Sequence, residues 1–150
     1  MKLKRELLNG FLIFVGIGLY FILLELIGLS DNVWLRIFNA FIVAWGTNRT
    51  LQGNFEDGIR GYFTNLTSAF ITSMIGAILS IAALLGYISY MGGESYLQNL
   101  PQNFVFGGGE LTINYYCLGL LFESTAASLA VSFVLMQYWK GKLEIINKVD

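Results

Sequence analysis

Histidine is absent from the 150-residue sequence, and cysteine and proline each occur once, as Cys117 and Pro101. Without histidine, the chain has no imidazole to serve as a metal ligand, a haem ligand or a general base. A single cysteine also excludes an intrachain disulfide. The sequence contains no metal-ligand cluster, phosphate-binding loop or nucleophile motif. We therefore expect no metal, no cofactor and no catalytic residue.

Charged residues are scarce, at 13% of the chain, whereas hydrophobic residues make up 55%. A soluble domain carries about 25% charged residues, because its surface must face water. The formal net charge is −1, so no basic surface is available for nucleic acid. This composition excludes a disordered chain and a nucleic-acid-binding protein, and it disfavours a soluble enzyme. It predicts a polytopic membrane protein whose main partner is the lipid bilayer.

Four stretches are apolar and long enough to approach the roughly 20 residues of a membrane-spanning helix: 7–29, 32–48, 62–91 and 111–139. None shows the period-two alternation of a barrel strand, so the sequence predicts an all-α transmembrane four-helix bundle within a single domain. The second stretch is the weakest, because Arg36 and Asn39 interrupt it. The polar segment 46–61 is the predicted inner loop, in which Asn54 caps the start of the third helix. Residues 140–150 form the predicted cytoplasmic tail.

The basic residues fix the predicted orientation. With the N-terminus in the cytoplasm, only Arg36 falls on the outer side, and the other eight fall on the inner side: Lys2, Lys4, Arg5, Arg49, Arg60, Lys140, Lys142 and Lys148. Basic residues concentrate in cytoplasmic segments of membrane proteins. The sequence therefore predicts that both termini are cytoplasmic.

The predicted outer loop, 92–110, is rich in glycine and contains no lysine or arginine. It also contains apolar and aromatic residues, among them Tyr96, Leu97 and Phe104. Two placements remain open: the loop lies on the membrane surface, or it folds over the bundle as a lid.

Glu25 and Arg36 flank the tight turn between the first two predicted spans. Each lies about four residues from the outer end of its span, which is about 6 Å at the helical rise per residue. Matched depth on neighbouring helices predicts a structural ion pair between them. A substrate or ion site, or side chains that extend to the surface, are the alternatives.

Glu123 is the other ionisable residue within a predicted span. Its position near the middle of the fourth span predicts a neutral carboxyl group that is hydrogen-bonded inside the bundle, because a charge in hydrocarbon is costly. Ser80 and Tyr20 fall at a similar depth on the third and first spans. The alternative is a proton- or cation-coupled site built from this intramembrane group.

Small residues recur at helical spacing and predict close helix packing. They are Ser68, Thr72, Gly76 and Ser80 on the third span, and Gly119, Ala126, Ala127 and Ala130 beside Glu123 on the fourth. Two uses of these faces remain open: packing within one chain, or contact with a second copy or another subunit.

Three segments resemble a family of small four-span bacterial inner-membrane proteins classed as a domain of unknown function. These segments are the basic start at residues 1–5, the stretch Phe55-Glu-Asp-Gly-Ile-Arg-Gly-Tyr-Phe, and the Tyr-Ile-Ser-Tyr exit of the third span. The resemblance implies a bacterial inner-membrane location and brings no catalytic residues. The small multidrug exporters also have four spans and a glutamate in the first, but this chain lacks their aromatic spacing.

Taken together, these features favour a non-catalytic integral membrane protein, such as an accessory or assembly subunit of a membrane complex. The alternative is a small oligomeric transporter or channel that uses Glu123. A membrane-embedded enzyme is a third and weaker hypothesis, because polar groups are sparse.

Overall fold

The computed structural model describes residues 2–30, 32–100 and 112–143, and these residues form helices and turns without a strand. The α-helices are α1 (Leu3–Leu26), α2 (Val33–Arg36), α3 (Asn39–Glu56), α4 (Tyr62–Tyr90) and α5 (Ile113–Leu143), and a 3-10 helix spans Gly93–Asn99. The predicted all-α class is confirmed for this part of the chain.

Three helices of the described residues are long and apolar enough to cross a membrane: α1, α4 and α5. The predicted second span, 32–48, takes a different form. Asn32 caps the short helix α2 by accepting a hydrogen bond from the Trp34 amide, and a turn at Ile37 and Phe38 separates α2 from α3. The apolar pattern is therefore split between two helices.

Helix α3 continues ten residues beyond Gly46, where the sequence analysis placed the start of the inner loop. The prediction of a long loop over 46–61, with Asn54 at the start of the third helix, is wrong. Asn54 lies inside α3 and is fully buried, and the connection to α4 is the turn 57–61. The polar second half of α3 stays helical because it bonds to side chains of α1 and α4.

Side-chain contacts between helices show their relative directions. Helix α1 runs antiparallel to α3, since Asn9 contacts Thr50 while Arg5 contacts Asn54. Helices α3 and α5 are parallel. Arg36 of α2 contacts Glu123, and Asn48, further along the chain in α3, contacts Trp139, further along α5. Helix α4 packs against α1, α3 and α5, and α1 makes no contact with α5 among the described residues.

The two ends of this bundle differ in chemistry. We call one end the basic end; it holds the start of α1, the end of α3, the start of α4 and the end of α5, and with them Lys2, Lys4, Arg5, Arg60, Lys140 and Lys142. The opposite end, the loop end, holds the turn after α1 and the 3-10 helix.

The first part of the predicted outer loop folds onto the loop end. Tyr96, Leu97 and Leu100 are buried against Ile88 and Tyr116. This segment therefore covers the ends of α4 and α5. The rest of the predicted outer loop, 101–110, the first residue of the predicted fourth span, 111, and the tail from 144 lie outside the described residues.

Large apolar side chains cover much of the outer surface. Leu26 is 83% exposed, Trp34 76% and Phe63 79%. The interior of the basic end, in contrast, contains buried hydroxyl, amide and carboxyl groups. This distribution is typical of a chain whose outer faces contact lipid.

Candidate functional site

A group of buried polar side chains fills the basic end between α1, α3 and α4. We call it the polar cluster. Its members share an exposure of at most 4% and are Glu6, Asn9, Thr47, Thr50, Asn54, Asn65, Ser68 and Thr72. Polar groups inside a membrane bundle are costly unless they bond to one another, so such a group is a candidate functional site.

Asn54 joins the three helices at the centre of the polar cluster. Its Nδ2 donates to Asn65 Oδ1 and to Ser68 Oγ, each at 3.0 Å. Ser68 Oγ in turn donates to Glu6 Oε1 at 2.5 Å. One amide of α3 thus links α4 to the carboxyl group of α1.

A second chain of hydrogen bonds lies deeper in the bundle. Asn9 Nδ2 donates to Thr50 Oγ1 at 2.9 Å, and the hydroxyls of Thr50 and Thr72 are 3.0 Å apart. Thr72 also bonds to the main-chain oxygen of Ser68 at 2.8 Å, within its own helix. The same three helices are therefore joined twice, at successive turns.

Charged side chains close the polar cluster at the basic end. Arg5 Nη1 donates to Asn54 Oδ1 at 2.8 Å, and Arg5 also forms an ion pair with Asp57. Lys2 Nζ lies 2.8 Å from Asp57 Oδ2. Hydrogen bonds from Lys2 and then Arg5 lower the pKa of Asp57 below its ordinary value. The start of α1 is thereby tied to the turn after α3.

Two polar atoms of the cluster have no hydrogen-bond partner among the described residues: Glu6 Oε2 and Thr47 Oγ1. Both side chains are fully buried. The Glu6 carboxyl group therefore accepts a hydrogen bond through Oε1, and its Oε2 faces the packed interior. No group of three histidine, cysteine, aspartate or glutamate residues that could hold a metal ion occurs in the described part of the chain.

Glycines allow the helices beside the polar cluster to approach closely. A Cβ atom added at Gly46 on α3 or at Gly76 on α4 would collide with the side chain of Ile13 on α1. A Cβ at Gly10 would meet Ile75 and the main-chain oxygen of Thr72. The polar cluster is therefore bounded toward the middle of the bundle by tight packing around Ile13, which is itself fully buried.

A second polar feature is an ion pair between α2 and α5. Arg36 Nη2 lies 2.7 Å from Glu123 Oε2, and the two side chains are 23% and 31% exposed. This contact replaces the expected pairing of Arg36 with Glu25. Glu123 is also not without a basic partner as the sequence predicted, because the parallel alignment of α3 and α5 brings α2 beside the first half of α5.

Glu25 instead contacts the 3-10 helix. Its Oε1 accepts a hydrogen bond of 2.6 Å from the Tyr96 hydroxyl. Burial, followed by this bond to Glu25, raises the pKa of Tyr96. Glu25 thus contacts the 3-10 helix at the loop end, while Arg36 lies beside α5.

The other members of the predicted intramembrane polar site are not joined into one group by the contacts of the described residues. The Tyr20 hydroxyl donates to the main-chain oxygen of Leu35 at 3.0 Å, one residue from Arg36. Ser80 Oγ donates to the main-chain oxygen of Gly76 at 2.8 Å, within α4. Tyr20 therefore positions α2, whereas Ser80 is satisfied by its own helix.

The predicted packing faces divide between the two helices. On α4, Ser68, Thr72 and Gly76 are buried, whereas Ser80 is half-buried. On α5, Gly119 is half-buried, and Ala126, Ala127 and Ala130 are exposed. The face of α5 that packs on the bundle carries Ser128, Ser132, Met136 and Trp139. The three alanines of the small-residue face beside Glu123 are therefore not covered by any helix that the structure describes.

The sequence analysis missed most of the polar cluster, including Glu6, Asn9 and Thr50. A signal was present: α3 carries Thr47, Thr50 and Asn54, and α4 carries Asn65, Ser68 and Thr72, in each case with a spacing of three and then four residues. That spacing places polar groups on one helix face. The signal was hidden because 46–61 was assigned to a loop.

Comparison of the chain with family models, with curated proteins and with solved structures gives no match.

Proposed function

We propose that the chain is a non-catalytic integral membrane protein that acts as an accessory or assembly subunit of a membrane complex. The observation that carries the proposal is the polar cluster, in which every member except Thr47 bonds to another member between closely packed helices. A transport site requires polar groups that face a path for the substrate. Groups that bond across three helices instead hold those helices in one arrangement, as a scaffold requires.

The outward faces support the same proposal. The alanines of α5 beside Glu123 are exposed, and small residues on a membrane helix allow another helix to approach closely. The unused small-residue face of α5, with Ala126, Ala127 and Ala130, is therefore the surface that we assign to another subunit or a second copy.

We also propose four membrane crossings with both termini on the cytoplasmic side of a bacterial inner membrane. The ion pairs of Lys2 and Arg5 with Asp57 place the start of α1 and the end of α3 at the same end. If α1 crosses the membrane, α3 must return across it. Helix α3 is about 27 Å long at the helical rise, close to the hydrocarbon thickness of about 30 Å. Its buried polar side chains Thr50 and Asn54 bond to α1 and α4, whereas Arg49, Gln52 and Glu56 in its last two turns are exposed.

A small oligomeric transporter or channel is the alternative function, and the Arg36–Glu123 ion pair favours it. An ion pair within the span of α5 is partly exposed, and intramembrane charges often mark ion pathways. In this hypothesis Glu123 releases and rebinds a proton or a cation, and Arg36 lowers the cost of its negative charge.

Native mass spectrometry and a flux assay separate the two functions. The accessory hypothesis predicts that mildly extracted protein has a mass above the 16.7 kDa of one chain, and that liposomes containing it show no proton or sodium flux above empty liposomes. Replacing Ala127 with Leu should shift the mass to that of one chain while the chain stays folded. A pH-dependent flux that disappears in Glu123→Gln would overturn the accessory hypothesis.

A further inference from the structure

A groove of about 540 Å³ lies at the basic end between α3 and α5. Its lining includes Gln52 and Glu56 from α3, and Tyr138, Trp139 and Lys142 from α5. The volume is within the range of about 300–1,000 Å³ that small-molecule sites occupy. The groove is separate from the polar cluster, which lies between α1, α3 and α4.

The floor of the groove is fixed. Trp139 is 6% exposed, and its indole Nε1 donates to Asn48 Oδ1 at 2.8 Å. Its ring also packs against Phe55, with centroids 5.7 Å apart. A buried indole held by a hydrogen bond gives the groove a defined shape rather than a collapsible one.

A cation is held at one side of this floor. Lys142 Nζ lies 4.7 Å from the Tyr138 ring centroid and 4.8 Å from the Trp139 ring centroid. An ammonium group has three N–H donors, and ring faces satisfy its charge only in part. Lys142 Nζ also donates to the Tyr138 hydroxyl at 3.5 Å, so two of its three N–H groups are left for an anionic oxygen in the groove.

A carboxylate from the other helix, α3, also lines this groove. Glu56 Oε1 accepts a hydrogen bond of 3.0 Å from Gln52 Nε2. Among the described residues, no ion pair joins Glu56 to Lys142. One groove thus holds two opposite charges that do not neutralise each other directly.

We propose that this groove binds the headgroup of a zwitterionic phospholipid that carries a primary amine, such as an ethanolamine phospholipid. Lys142 binds the phosphate, and Glu56 accepts from the ammonium group. Trp, Tyr and Lys side chains at the end of a membrane helix lie at the level of the headgroups, so the bilayer itself supplies the ligand. The inference requires a membrane location and is independent of the accessory role.

The two charges also determine which headgroup fits best. A choline headgroup has no N–H to donate to Glu56, and the aromatic faces that would bind a quaternary ammonium already contact Lys142. A glycerol headgroup brings a net negative charge and no amine, so it leaves the Glu56 carboxylate without a counter-charge. A primary ammonium with a phosphate complements both groups of the groove.

The test measures lipid binding to the detergent-solubilised full chain by native mass spectrometry, with ethanolamine, choline and glycerol phospholipids of identical acyl chains. We expect the ethanolamine lipid to bind roughly two- to fivefold more tightly than the choline lipid, the range of one exposed charge pair. Glu56→Gln should abolish that preference without weakening the choline lipid. Lys142→Gln should weaken both lipids by a similar factor, because both carry a phosphate.

Matched controls decide whether the groove is responsible. Lys140→Gln and Glu94→Gln remove the same charges from exposed positions outside the groove lining, and both should leave the preference unchanged. Equal binding of the two lipids by the unmodified chain, or the same loss in Lys140→Gln as in Lys142→Gln, would contradict the proposal. Displacement of the ethanolamine lipid by an equal concentration of inorganic phosphate would also contradict it, since the ligand would then be a free anion.

Discussion

Glu6 shows how the bundle holds an ionisable residue away from water. Its carboxyl group is fully buried, bonds to Ser68 through Oε1, and has no partner at Oε2 among the described residues. Ser68 therefore needs only a hydrogen-bond acceptor at position 6, and this hydrogen bond does not require a full negative charge.

Glu6→Gln should accordingly fold with nearly unchanged stability, because its amide oxygen still accepts from Ser68. Glu6→Leu should lower the free energy of unfolding by about 1–3 kcal/mol, because the buried Ser68 hydroxyl loses its acceptor. Thermal unfolding in detergent measures both variants. A Leu variant as stable as the Gln variant would show that the polar cluster contributes nothing to the fold.

Arg36 and Glu123 form an ion pair that is neither fully buried nor fully exposed. Removing one of its charges leaves the other without this counter-charge in an apolar setting. The double variant, Arg36→Gln with Glu123→Gln, should therefore destabilise the chain less than the sum of the two single variants. We expect a coupling energy of about 0.5–2 kcal/mol from the double-mutant cycle. Strictly additive effects would mean that the contact is not formed in the membrane.

Asp57 gives the basic end a dependence on pH. Lys2 and Arg5 lower its pKa from the ordinary value of 3.8. A lowered pKa means that the folded chain favours the carboxylate, so the added stability is present above pH 3.8 and is lost as the pH falls through the lower, folded value. The stability difference between the unmodified chain and Asp57→Asn should therefore shrink below about pH 4. A difference that grows under acid would reverse the assigned sign.

At the scale of elements, α3 and α4 each contact the other three long helices among the described residues, and α4 packs more extensively on α1 and α5 than α3 does. The glycines of α4 differ in their surroundings. A Cβ at Gly76 collides with Ile13, whereas a Cβ at Gly86 has no neighbouring atom within 4 Å. The same substitution at these two positions should therefore have opposite effects.

Gly86→Ala should stabilise the chain by up to about 1 kcal/mol, because alanine is the better helix former. Gly76→Ala should destabilise it by about 1–3 kcal/mol through overpacking against α1. Thermal unfolding of the two variants provides the measurement, and each serves as the control of the other. Equal shifts in the same direction would contradict the close approach of α1 and α4.

Helix α3 marks the limit of what the sequence predicts. Helices α1, α4 and α5 follow from long apolar runs, and the structure has them. The second half of α3 carries polar side chains that are buried in the bundle, and two of them, Thr50 and Asn54, bond to neighbouring helices. Apolar length alone cannot distinguish such a helix from a loop, since its stability comes from tertiary contacts that form only after folding.

The ion pairs illustrate the same limit at the level of side chains. Depth along a span placed Glu25 and Arg36 together, but depth does not specify the direction in which a side chain points. The helix break at Ile37 and Phe38 and the register of α3 with α5 decided that Arg36 meets Glu123. Neither feature has a local sequence signature.

At the scale of the whole molecule, the chain carries polar groups inside and apolar groups outside. Six of its nine basic residues lie at one end, together with the polar cluster and the groove of Lys142. The 3-10 helix closes part of the other end with Tyr96, Leu97 and Leu100. Our central proposal is a four-crossing bundle in which the basic end faces the cytoplasm.

Cysteine accessibility tests this claim most directly. In a Cys117→Ala background, single cysteines replace Arg60 in the turn before α4, Lys140 near the end of α5, and Ser95 in the 3-10 helix. A membrane-impermeant maleimide should label the cysteine at position 95 in intact bacterial cells, and those at positions 60 and 140 only after the inner membrane is permeabilised. Labelling at position 60 that matches position 95 in intact cells would show that α3 does not cross the membrane, and would contradict the account.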